Sequence, residues 1–127
     1  MIYGSKLYLV ILFLSFFLIV GCTSRNYYYE LYDGYKIKKI DDEIKLYKDD
    51  ELFKINDLDY KIEEFKFNSD VVCLKLNNEK YYMIYYVDGT VYGPFDLNSL
   101  NTSTDNISMT FDNDFTSLDK KEGLIYE

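Results

Sequence analysis

Two runs of three consecutive carboxylates, Asp41-Asp42-Glu43 and Asp49-Asp50-Glu51, flank one short segment. Oxygen donors at that density can ligate calcium. They also suit solvated turns, which need no ligand. A third acidic stretch, "DNDFTSLDKKEG" (112–123), opens like a calcium-binding EF-hand loop, with Asp112 and Asp114 at its first and third positions. Ser117 stands where that loop needs glycine, and Gly123 stands where it needs a bidentate glutamate, so it is not one. The chain has no histidine. That excludes histidine triads, histidine general bases and the usual zinc sites. No nucleophile elbow, phosphate-binding loop or dinucleotide fingerprint occurs. We assign no catalytic residue, no metal ligand and no cofactor, and expect no enzyme. A small hydrolase with carboxylates that meet in space is the one enzymatic alternative.

Tyrosine offers a second kind of chemistry. Tyr27, Tyr28, Tyr29, Tyr32 and Tyr35 cluster near the start of the domain, and Tyr81, Tyr82, Tyr85 and Tyr86 share one segment. Exposed rings can stack on sugars or on a partner protein. Buried rings would pack a sheet, because tyrosine is a good strand former. Part of the count is compositional: Tyr, Asn, Lys, Ile and Asp abound and Ala, Gln, Trp and His are missing, as an AT-rich genome would produce. Tyr28, Tyr32 and Tyr35, with Asp42 and Asp50 from the acidic turns, make up the candidate binding surface.

The two cysteines differ. Cys22 ends a greasy run. Residues 1–6, "MIYGSK", carry Lys6, and residues 7–20, "LYLVILFLSFFLIV", are apolar apart from Ser15 and the Tyr8 hydroxyl. That is signal-peptide order, and it falls short of the ~20 residues that span a bilayer as a helix. Ile19-Val20-Gly21-Cys22 resembles the bacterial lipobox, with Ile19 in place of the usual leucine. The resemblance implies cleavage between Gly21 and Cys22 and lipidation of the Cys22 thiol. Two or three acyl chains then anchor the protein stably, at about 0.8 kcal/mol per buried methylene. Cys73 is left as the one thiol of the processed chain, so no intramolecular disulfide can form. Inside "DVVCLKL" it reads as a small buried hydrophobe.

Elements must position these residues. We read 1–21 as the leader, 22–26 as a lipidated tether and 27–127 as one small β-rich domain. Short strands broken by turn residues are expected at 27–32, 35–40, 44–48, 51–55, 60–67, 71–76, 80–87 and 90–95. Asp88-Gly89 predicts a tight hairpin with a type I′ turn. Pro94, the one proline, belongs at a sheet edge or a strand end. The apolar run 81–87 predicts a central strand covered on both faces. Asp96 can cap one short helix holding Leu97 and Leu100. Residues 107–111 alternate as a last strand, and the tail from about 112 is poorly defined. The fold class is therefore mainly β or α+β: a small antiparallel sheet of hairpins, at most one short helix, and an apolar helical signal segment before it.

"DGYKI" (33–37), "VVCLKL" (71–76), "YYMI" (81–84) and "VYGPF" (91–95) follow in an order that resembles a family of small bacterial lipoproteins classed as a domain of unknown function. The resemblance spans roughly residues 22–100 and implies an exported, lipid-anchored β-rich domain with no activity to transfer. Charge agrees with the absence of nucleic acid as a partner. Lys plus Arg total 14 against 22 Asp plus Glu, a net charge of −8. Removing the leader removes only Lys6 and takes the balance to −9, whereas phosphate binding needs clustered cations. We expect a non-enzymatic binding module at the bacterial cell envelope, held to the membrane by lipid on Cys22, with an unknown protein or carbohydrate ligand. The alternative is an immunity-type or inhibitor lipoprotein that binds a basic partner.

Overall fold

The computed structural model describes residues 25–127; the apolar run 7–20, Gly21 and Cys22 lie outside the described residues. From Tyr27 on, turn residues cut the chain into β1 (Tyr27–Glu30), β2 (Tyr35–Ile40), β3 (Glu43–Lys48), β4 (Glu51–Leu52), β5 (Ile62–Phe67), β6 (Val71–Leu76), β7 (Tyr81–Tyr85), β8 (Val91–Phe95) and β9 (Ile125–Tyr126). Among the described residues, one helix, α1 (Leu97–Asn106), and one 3-10 turn (Leu118–Lys120) complete the set. The mainly antiparallel β class with one short helix is what forms. The strands divide between two sheets, ordered β4-β3-β2-β1-β9 and β5-β6-β7-β8.

The acidic runs explain the first sheet. Asp41 and Asp42 have φ of 52° and 63°, and Asp49 and Asp50 have 49° and 64°. Two-residue hairpins of the I′ type need both central residues left-handed, and aspartate tolerates that conformation better than most. These carboxylates are where they are because the turns need them. The Asp88-Gly89 hairpin forms, but not as the predicted type I′ turn. Only Gly89 is left-handed, with φ 68°. The Tyr85 N–H bonds the Thr90 carbonyl, the Gly89 N–H bonds the Tyr85 carbonyl, and the loop holds residues 86–89. Tyr86 accounts for the extra length: it turns into the core, and its N–H bonds the Asp70 carbonyl.

Period-two alternation sends one face of each sheet inward. Tyr35, Ile37 and Leu46 of the first sheet pack on Phe65, Phe67, Val72, Leu74, Ile84 and Tyr86 of the second. The outer face of the second sheet is also buried. Val71, Cys73 and Met83 pack with Leu100 of α1, and Phe95, Met109, Phe111 and Phe115 close over them. Being covered on both faces explains why β6 and β7 read as continuous apolar runs. The Asp96 carboxylate accepts from the Ser99 N–H at 2.7 Å and caps α1 as expected.

Residues 107–111 do not form the expected strand. The edge of β5 that such a strand would need is taken by Thr116, through two backbone bonds to Phe65 of 2.8 and 3.1 Å. The segment is a connection instead, held by the Asn68 side-chain amide on the Thr110 carbonyl at 2.7 Å. The C-terminal stretch is more ordered than its sequence suggests. It contributes Leu118 to the core and β9 to the first sheet, where Tyr27 pairs with Tyr126.

Two core features can be tested. Gly93 has φ +133°, and a Cβ there would lie 2.8 Å from the Tyr81 carbonyl oxygen. Gly93→Ala should lower the unfolding free energy by about 2 kcal/mol or more in a denaturant titration, from clash and backbone strain together. The Tyr60 hydroxyl donates to the Phe53 carbonyl at 2.6 Å, and burial pushes its pKa up to about 12. A raised pKa means the unfolded chain loses this proton first. The contribution to stability is therefore intact below pH 10 and lost as pH climbs toward 12. Chemical denaturation across that window should show the fall, and Tyr60→Phe should show less of it.

Candidate binding surface

The strand register defines two ends. Tyr27, Lys39 and Ile44 lie together at the end where the chain enters, and Glu30, Lys36 and Tyr47 lie at the other. The second sheet shares this direction. Lys61, before β5, pairs with Glu43 at 3.6 Å at the N-terminal end. Tyr86, past β7, packs against Tyr35 with centroids 5.1 Å apart at the far end.

The N-terminal end carries a hollow of about 640 Å³, lined by Arg25, Asn26, Tyr27, Lys39, Asp41, Asp42 and Tyr126. Asp42 of the sequence-derived surface sits here. Lys39 is already engaged with Asp119 at 3.4 Å, and the Tyr27 hydroxyl donates to the same carboxylate. Arg25 is the first described residue, so the chain enters the domain at this end.

Tyr28 and Asp50 lie on or beside the outer face of the first sheet, and the structure brings them to one cluster. Lys36 and Lys38 sit 4.9 and 5.6 Å from the Tyr28 ring centroid, and Lys38 also lies 5.3 Å from that of Tyr47. Both ammonium groups donate to Asp50, at 3.4 and 3.1 Å. Burial works against the Lys38 ammonium, but Asp50 and Glu127 outweigh it and raise its pKa. Hydrogen bonds from Lys38 and Lys36 hold the Asp50 carboxyl low. Lysine stems and tyrosine rings here cover an otherwise bare sheet face, with their charges already matched. Little is left to offer a ligand.

Tyr35 is not surface at all. It is 1 % exposed and belongs to the core. Tyr32 is exposed at the far end, where its hydroxyl donates to Asp112 at 3.0 Å, a bond that raises the tyrosine pKa. Around it lies surface that sequence reasoning missed. Val87 is 84 % exposed and Ile107 57 %. Two hollows of about 220 and 420 Å³ run between them, lined in part by Asp33, Asp70, Met109 and Asp112. Asn68 fixes their shared wall, since its side-chain oxygen accepts from the N–H groups of Asp70 and Val71 at 2.8 and 2.9 Å. The sequence pointed the other way: the apolar run 81–87 reads as a strand covered on both faces, but β7 ends at Tyr85, Tyr86 turns inward and Val87 is left in the open.

The acidic and thiol groups can be followed among the described residues. No three Cys, Asp or Glu side chains converge as a metal site. The carboxylates with displaced pKa values, Asp50, Asp88 and Asp96, are all held low by hydrogen bonds, the reverse of what a general acid requires. No protein-family model, curated protein or solved structure matches the chain significantly.

Cys73 is fully buried, and burial pushes its thiol up to about 12. The thiolate is the reactive form. The native protein should therefore leave Cys73 unmodified by a thiol-reactive dye at neutral pH, and unfolding in denaturant should expose it to stoichiometric labelling.

Proposed function

We propose that this protein is a lipid-anchored lipoprotein of the bacterial cell envelope, and that its domain is a non-enzymatic binding module. One observation carries the reading. The first strand begins at Tyr27, five residues after Cys22. Acyl chains on that cysteine would therefore hold the N-terminal end against the bilayer. The far end, with its exposed apolar residues and open hollows, would point away from the membrane. A domain arranged in this way presents one end for recognition and uses the other for attachment. The carboxylates gathered at the far end favour a protein partner of basic character, as an immunity-type or inhibitor lipoprotein would have.

The anchor has a direct test. In a bacterial host fed a clickable fatty acid, the wild-type chain should incorporate label and migrate as the processed form. Cys22→Ala should lose the label completely and accumulate as precursor. Label retained by that variant would refute the reading.

A further inference from the structure

The two hollows at the far end share Ser69, Asp70 and Met109, so they form one groove. We propose that this groove binds a basic segment of a partner protein. Lysine or arginine side chains would meet Asp33, Asp70 and Asp112, and an apolar side chain would rest against Val87 and Ile107. The proposal rests on the binding-module reading and adds the chemistry of the partner.

Charge is the first argument. No lysine or arginine lines the groove. Six carboxylates elsewhere pair with lysines: Asp50, Glu127, Asp119, Glu43, Asp59 and Glu63; most of the others, on turns and exposed faces, do not. Among the described residues Asp33, Asp70 and Asp112 make no such pair. All three line the same groove with no cation among its lining residues, so a cation from outside would meet negative charge alone.

Exposed apolar surface is the second. Val87 and Ile107 project beside these acids, and half-buried Met109 lies between the two hollows. An apolar patch rimmed by charge is the usual composition of a protein contact. It suits an alternating basic and apolar segment better than a small cation.

A buried hydroxyl is the third. Tyr86 lines the groove at 1 % exposure, and its hydroxyl has no hydrogen-bond partner. A phenol oxygen left in that state is costly, by roughly 1–3 kcal/mol. An ammonium or guanidinium entering over Asp33 would bring the donor that this oxygen can accept.

The test uses the full-length, membrane-extracted protein in nonionic detergent. The probe is a fluorescein-labelled peptide of four lysines around one leucine, and the readout is anisotropy at low and high salt. The wild type should bind, and salt should weaken the binding. Asp33→Asn with Asp70→Asn should weaken it at least tenfold, and Val87→Ser should weaken it without altering the salt dependence. Asparagine tolerates the left-handed conformation of Asp33, and unchanged circular dichroism checks the fold. Asp57→Asn with Glu122→Gln removes the same charge outside the groove and should leave binding within twofold. Equal weakening by both pairs would reduce the effect to net charge and overturn the proposal. So would absence of binding by the wild type, or binding of a chitin-type oligosaccharide that the peptide does not displace. Fatty-acid labelling at Cys22 is scored separately, so loss of the anchor and loss of the groove cannot be confused.

Discussion

The tilted packing of Tyr35 against Tyr86 is the contact on which the rest of the molecule depends. One ring comes from β2 and the other from the loop after β7, with centroids 5.1 Å apart, and Cys73, the cysteine among the described residues, is free. The seam extends through Tyr29 on Phe65 and Phe67, at 6.0 and 5.5 Å, and Phe53 on Tyr35 at 5.7 Å. Each such pair adds about 0.5–1.5 kcal/mol beyond the area it buries. Because Tyr35 follows the Asp33-Gly34 turn and Tyr86 precedes the Asp88-Gly89 turn, this one contact fixes both loops at the same end. The groove at the far end is a consequence of how the two sheets are registered.

Charge is distributed to match. The chain is acidic overall, yet the outer face of the first sheet gathers Lys36, Lys38 and Lys45 and balances them with Asp50, Glu127, Glu43 and Asp59. Exposed pairs of this kind contribute ~0–1 kcal/mol each. Their value lies in the lysine stems, which shield the tyrosine rings of a sheet that no third layer covers. The other sheet is shielded by α1 and the connection that follows it. At the far end, among the described residues, Asp33, Asp70 and Asp112 are left without a lysine partner.

Much of the fold was legible in the sequence, because turn chemistry is local. The 35–40 and 71–76 strands, the Asp96 cap and the edge position of Pro94 follow from residue type and period. Other features depend on partners distant in the chain. Residues 107–111 alternate like a strand, but Thr116 occupies the edge they would need. Asp88-Gly89 reads as a tight turn, but burial of Tyr86 lengthens the loop. Division into two sheets could not be read from strands of similar pattern. The binding surface was the least legible part. Tyr28 and Tyr35 were read as alike, yet one lies under lysines on an outer face and the other is core. Of those residues Tyr32 alone is exposed beside the groove, where its hydroxyl reaches Asp112, because the meeting of apolar and acidic residues there is made by four separate loops.

The orientation of the domain on the membrane is the central claim. A spin label at Val87→Cys and another at Asp42→Cys, each in the lipidated protein in native membranes, measures it through collision with lipid-soluble oxygen and with a water-soluble nickel chelate. The label at 42 should sense the interface of the bilayer, and the label at 87 should behave as a site in bulk water. A label at 87 that collides with oxygen as often as the one at 42 would contradict the account.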